Sequence, residues 1–209
     1  GSGTLAVARG GTGATTHTAN NVLVGNGTSA IASVAPSTSG NVLTSNGSAW
    51  TSAAAAGGGK ILQVVNVIES AVATGTTTNT VDDTIPQQTE GHEVMTLAIT
   101  PTSSSNKLFI ISEGFMTHSR SGCWVNVALF QDTTANALSA NTSGRLEAND
   151  AGYIFSLTHY MTAGTTSSTT FKIRAGGQDS GTMTFNGSGG TRYMGGVIAS
   201  SITIMEIAV

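Results

Sequence analysis

The chain has 209 residues, enough for one or two domains with a sizeable core. Only 9% are charged, against about 25% in an average soluble protein, and the net charge of −3 comes with no Lys/Arg cluster, which excludes a nucleic-acid partner. No window approaches the roughly 18 uninterrupted apolar residues of a membrane helix, so no membrane insertion is expected, and the abundance of Gly, Ser, Thr and Val points to β-structure.

Gly1-Ser2-Gly3 looks like a cloning remnant, so the natural chain is expected to continue upstream. Residues 21–50 state one phrase twice: Asn21, Val22, Leu23, Asn26 and Gly27 return as Asn41, Val42, Leu43, Asn46 and Gly47. A spacing of 20 residues falls in the range of serial supersecondary repeats. Each copy couples a short apolar run to Asn-Gly, whose residues accept the positive φ of tight turns, so two β-hairpins are predicted. Few large apolar side chains accompany them: Leu5, Val7, Ile31, Val34 and Trp50. An isolated hairpin is marginal in water, so this region should fold only beside copies of itself, the other reading being a flexible linker.

Ala53 to Gly59, AAAAGGG, is a composition break. It divides the chain into a glycine-rich repeat region, residues 1–59, and a second domain, residues 60–209. Lys60 to Ser70 is apolar on both strand faces, so both want cover. Glu93 to Thr100 and Lys107 to Met116 read as strands, with a hairpin turn expected at Pro101 and the Ser-rich run after it. Further strands are predicted at Trp124 to Gln131, Tyr153 to Thr162, Thr169 to Ala175, Thr182 to Phe185 and Val197 to Val209. Helical periodicity is absent. Short strands at this spacing indicate an all-β protein with a β-sandwich, jelly-roll-like domain of roughly 150 residues.

Catalytic signals are weak. Asp82-Asp83 with Glu90 and Glu93, or Glu147 with Asp150, could supply paired carboxylates, but Asp82 sits in a Thr-rich turn where Asp commonly bonds its own backbone. His17, His92, His118 and His159 lack metal-ligand spacing. His159 shares a strand face with Phe155, Leu157 and Met161 and reads as a core or interface histidine. Copies of one histidine around a threefold axis could still bind a metal. Gly10-Gly11-Thr12-Gly13 has no flanking strand, helix or Lys-Ser/Thr and is no phosphate loop. Cys123, the one cysteine, is expected to be a small buried hydrophobe. The chain is therefore expected not to be an enzyme and to need no cofactor or metal.

The run ARGGTGATT (Ala8 to Thr16), the NVL-x-x-NG repeats and the ending ASSITIMEI (Ala199 to Ile207) together resemble the distal parts of bacteriophage tail fibres and related fibre adhesins. That resemblance implies a parallel homotrimer: a thin, intertwined β-rich shaft followed by a β-sandwich tip, borne on a virion tail fibre or a bacterial cell surface. The number three comes from the resemblance alone.

Recognition would then fall to loops, which a rigid sandwich commonly uses for binding. Thr117 to Trp124, Asn141 to Tyr153 and Asn186 to Tyr193 concentrate the scarce charges and aromatics. The candidate receptor-binding residues are His118, Arg120, Arg145, Asp150, Arg192 and Tyr193, with His118 expected to be exposed and Trp124 to belong to the core. Arginine forks suit anionic groups and aromatic faces suit sugars, so a bacterial surface polysaccharide, lipopolysaccharide or surface protein is the expected partner. Structural ion pairs to Glu147, Asp150 or Asp179 are the competing reading of those arginines. A purely structural trimerisation module and a polysaccharide depolymerase are the alternative functions.

Overall fold

The computed structural model describes residues 3–55 and 60–209. The tag-like first two residues and residues 56–59 of the composition break lie outside them. The chain forms two compact units, Gly1–Gly57 and Gly58–Val209.

The first unit holds a single 3-10 turn at Val7–Arg9 and four strands: β1 (Val22–Val24), β2 (Ala32–Val34), β3 (Asn41–Ser45) and β4 (Trp50–Ala54). β1 pairs antiparallel with β2, and β3 with β4, so each repeat opens one hairpin. The repeat is kept in the chemistry as well. Asn21 Nδ2 donates to Ser33 Oγ at 3.1 Å, and Asn41 Nδ2 to Ser52 Oγ at the same distance. In the second turn Asn46 Oδ1 accepts from the backbone N–H of Ser48 and Ala49, and Gly47 takes φ 88. None of the described residues of this unit is buried. Val22, Leu23, Val42, Leu43 and Trp50 all stay exposed, so the unit has hairpins without a core.

The second unit contributes β5 (Ile61–Glu69), β6 (Ala73–Gly75), β7 (His92–Ile99), β8 (Lys107–His118), β9 (Val125–Gln131) and β10 (Ser139–Thr142). It continues with β11 (Gly152–Thr162), β12 (Thr169–Gly177), β13 (Met183–Phe185), β14 (Gly187–Ser188), β15 (Thr191–Arg192) and β16 (Ser200–Ile207). One sheet has the order β10-β9-β12-β7. The larger has the order β5-β16-β8-β13-β6, with β11 on the other edge of β8. β8 is its backbone: β16 pairs with its first half, β13 with its end, and β11 with its whole length. Alternation along these strands sends Leu108, Ile110, Phe155, Leu157, Phe171, Ile173, Ile202 and Ile204 into one core between the sheets. A two-sheet all-β sandwich follows.

The hairpin expected at Pro101 does not form. β7 belongs to the smaller sheet and β8 to the larger, so Thr100–Asn106 crosses between sheets. Glu206, from the far end of the chain, fixes that crossing. Its Oε1 accepts from Thr102 N and Oγ1 at 2.8 Å and from Asn106 Nδ2 at 2.6 Å, while Oε2 accepts from Gln63 Nε2 at 2.6 Å. The carboxylate is fully buried, and burial alone would raise its pKa; the donors from Asn106, Gln63 and Thr102 outweigh that and hold it down at about 2.

Both faces of β9 are covered. Val125, Val127 and Leu129 point into the core. Asn126 and Phe130, on the other face, are buried too. Asn126 lies against the connection that leads from β6 to β7: its Nδ2 donates to the Asn79 carbonyl, and Asn79 N donates to Gly177 O at the end of β12.

Candidate functional site

Three connections meet at the end of the sandwich where β8 stops: Ser119–Trp124, Gly144–Ala151 and Gln178–Thr182. Backbone bonds lace them together. Asp150 N donates to His118 O at 2.8 Å, Ser119 N to Thr182 O at 2.9 Å, and Leu146 N to Cys123 O at 3.0 Å. Asn149 Oδ1 accepts from Ser121 N, so residues 28 apart in sequence share one turn network. This cluster brings together four of the six predicted residues: His118, Arg120, Arg145 and Asp150.

Their individual placements differ from the expectation. His118 is buried, not exposed, because Gly177 and Gly181 leave room for its ring; a Cβ at either position would clash with it. Its Nδ1 accepts from Arg120 N at 3.2 Å, and Cys123 Sγ lies 4.0 Å from Nε2. Burial lowers its pKa, ahead of the opposing Asp179 and Asp150 charges, so the ring is held toward the neutral form. Arg120 Nη1 faces Asp179 Oδ1 at 3.8 Å with both side chains solvated, a pair worth at most about 1 kcal/mol. Arg145 Nε donates to Gly122 O at 3.0 Å and its fork lies over that glycine. Both arginines thus have partners inside the chain. Asp150, at φ 58, is exposed at the turn beside the Gly189 end of the β14–β15 hairpin.

Arg192 and Tyr193 leave this cluster. The Tyr193 ring packs on Phe115, with centroids 6.5 Å apart, and the Arg192 guanidinium lies against Gly196. Phe115 faces outward from β8, so Tyr193 borders a surface that the sequence did not single out as a site. Across the outer face of the larger sheet, register aligns Val64, Met205, Phe109 and Tyr160 in one row, with Phe109 and Tyr160 edge to face at 6.4 Å. The rows beside it are Asn66, Thr203, Ile111 and Thr158, then Ile68, Ser201, Glu113 and Ser156, and beyond them Phe115 meets Ile154. Ile154 is 77% exposed, Ile68 68% and Val197 82%. The first of these rows is apolar throughout, whereas the next two each carry one isoleucine among polar residues. The sign in the sequence was the two-faced apolar pattern of residues 60–70, which wanted cover on both sides and receives it on one.

Among the remaining candidates, Asp82 and His159 lie apart from the loop cluster. Asp82 Oδ1 accepts from both the N–H and the hydroxyl of Thr84, the local turn expected of it; these bonds, side chain first, lower its pKa. His159 is half-buried on the core-facing side of β11, and burial lowers its pKa. Cys123 is buried, as expected, whereas Trp124 is only half-buried, one residue before β9 begins. Among the described residues, no group of three or more His, Cys, Asp or Glu is placed to hold a metal ion, and no helix is long and apolar enough to cross a membrane.

Solved structures of distant proteins align with part of the chain. "Structure of Eiger TNF from S. frugiperda" aligns over 71% of this chain and 94% of that one, at 9% identity and a TM-score of 0.43. The Gx strain structure of infectious bursal disease virus aligns over 79% of this chain and 44% of that one, at 9% identity and a TM-score of 0.35. No curated protein sequence matches. The family model that matches is not one of phage tail fibres, so the resemblance drawn from ARGGTGATT, NVL-x-x-NG and ASSITIMEI is corrected: those motifs are short, glycine-rich and turn-forming, and local turn chemistry recurs in unrelated β-proteins. The match is to the Pgp3 C-terminal domain over residues 68–209, and the chain belongs to that family.

Proposed function

We propose that the chain is a non-enzymatic, self-associating module, a parallel homotrimer, that carries its sandwich domain outside the cell to a cell-surface receptor, either a glycan or a protein. The observation that carries this reading is the lack of any buried residue among the described residues of the first unit. Two hairpins with exposed Val, Leu and Trp side chains gain a core only from partner chains, and the row Val64, Met205, Phe109 and Tyr160 on the outer face of the larger sheet asks for the same. Residues 3–55 then act as a thin shaft and the sandwich as its head. Three copies of the loop cluster at the end of β8 would add weak contacts through multivalency.

Sedimentation equilibrium of the purified chain tests the assembly, with a mass three times the 21.0 kDa of one chain expected. A 21.0 kDa species at micromolar concentration would overturn it. Recognition is tested by binding of the assembled protein to bacterial cells and arrayed glycans, with Arg120→Ala and Arg145→Ala expected to weaken it. A second reading, a structural module that nucleates and locks assembly, is favoured by the internal partners those arginines already have. Assembly without surface binding, indifferent to both substitutions, would select it.

A further inference from the structure

Away from the loop cluster and the outer face of the larger sheet, the connection from β6 to β7 lies as a strap beside β9 and β10. Between the strap and those strands is a cavity of about 270 Å³ lined by Asn79, Thr80, Asp82, Asn126, Asn141 and Thr142, among others. A second hollow of about 450 Å³ continues it along Asp83–Pro86 and Ala137–Ala140. Asn79 is the anomaly. It is 1% exposed, yet neither its Nδ2 nor its Oδ1 has a hydrogen-bond partner among the described residues. An amide in that state costs about 1–3 kcal/mol, so a buried orphan needs a reason.

The surroundings supply one. Asn126, the neighbouring amide, has a partner at each end: its Nδ2 donates to the Asn79 carbonyl and its Oδ1 accepts from Thr142 Oγ1. Asp82 accepts both Thr84 bonds on Oδ1, and neither of them uses its second oxygen. The polar part of the lining is therefore amides, hydroxyls and a carboxylate, set beside Val81, Pro86 and Ala140, with no Lys, Arg or aromatic side chain. A phosphate or other anion would meet the Asp82 carboxylate there, with no cation to offset the repulsion. An alcohol group, at once donor and acceptor, matches an amide and a carboxylate together. From Val81 to Ile85 the strap's recorded hydrogen bonds stay within the strap or reach Gln87, so none ties it across the cavity to β9 or β10. The volume sits at the small end of ligand cavities, about 300–1,000 Å³, which suits one ring.

We infer that this cavity is a binding site for a neutral, hydroxyl-rich ligand the size of one monosaccharide unit, held by the Asn79 amide and the Asp82 carboxylate. The site lies within one chain and does not depend on self-association or on the arginine loops. Its test is side-chain amide NMR of the intact chain titrated with methyl glucoside, methyl galactoside, methyl mannoside and N-acetylglucosamine, with glucose 6-phosphate as the anionic control. At least one neutral glycoside should shift the Asn79 side-chain resonances saturably, with a millimolar dissociation constant, and the phosphate should not.

Asn79→Leu should weaken that binding by about tenfold or more while melting no lower than the parent, because an unpartnered amide replaced by an apolar group of similar shape loses nothing in stability. Asp82→Asn, on the exposed strap, gives a second variant in which the same loss is expected without any effect on the core. Silence toward every neutral glycoside, binding of the phosphate alone, unchanged binding by both variants, or a marked drop in the melting temperature of Asn79→Leu would each overturn the inference.

Discussion

Glu206 is a carboxylate with no exposed surface, and it stays ionised because five polar contacts from Gln63, Thr102, Ser103 and Asn106 converge on its two oxygens. Its pKa falls from an ordinary 4.5 to about 2, so the unfolded chain binds the proton more readily. The stabilisation is full above pH 4.5 and is lost as the pH falls through about 2. His118 has the same sign in another window. Its lowered pKa means that stability present above about 6.5 declines as acidification forces a proton onto a buried ring. Melting temperature followed from pH 8 to pH 2 should therefore fall in two stages. Glu206→Gln, which turns an amide N–H toward its donors, should cost about 2–4 kcal/mol at pH 7 and remove the lower stage alone. A parent and variant that decline in parallel below pH 4.5 would show that Glu206 is not the titrating group.

The larger sheet is where elements meet partners. Its outer rows carry Val64, Met205, Phe109 and Tyr160 abreast, so Tyr160→Glu and Met205→Glu set an unpaired charge against the proposed partner chain. Each should reduce association at least about tenfold, since burying an unpaired charge costs several kcal/mol. Far-UV circular dichroism should stay unchanged, because neither side chain enters the core. Retained mass in sedimentation would locate self-association elsewhere. Much of this sheet was legible beforehand: alternation in residues 61–69, 107–118 and 152–162 names both strand and facing, and Asn-Gly marks the two hairpins of the first unit. What alternation cannot carry is which strand lies next to which. Thr100–Asn106 has a turn's composition whether it joins neighbours or crosses between sheets, and Glu206, which fixes the crossing, stands about 100 residues away. The site suffered likewise. His118 looked exposed beside a Ser-Gly turn, while the glycines that admit its ring lie at 177 and 181, and Asn79 has no local signature at all. β10, with sequence SANT, is too polar to read as a strand, although it forms the edge of the smaller sheet.

At the scale of the whole molecule the two units pose opposite energetic problems. The second buries a continuous core in which Phe155, Phe171 and Phe185 are fully enclosed. The first must order its backbone at about 1–2 kcal/mol per residue with no residue buried, and fully covering a Val or Leu side chain returns only about 1.5–3 kcal/mol. Even complete burial of Val22, Leu23, Val42 and Leu43 helps only when partner chains supply the cover. The order of the first unit should thus depend on concentration and that of the second should not. Hydrogen exchange checks this directly. In the assembled protein the amides of β3 and β4 should be protected, and dilution to the monomer, or Tyr160→Glu, should release them while β8, β12 and β16 keep their protection. Protection of β3 and β4 that persists in a demonstrated monomer would mean that the hairpins hold themselves, and would remove the main ground for reading this chain as an assembling module.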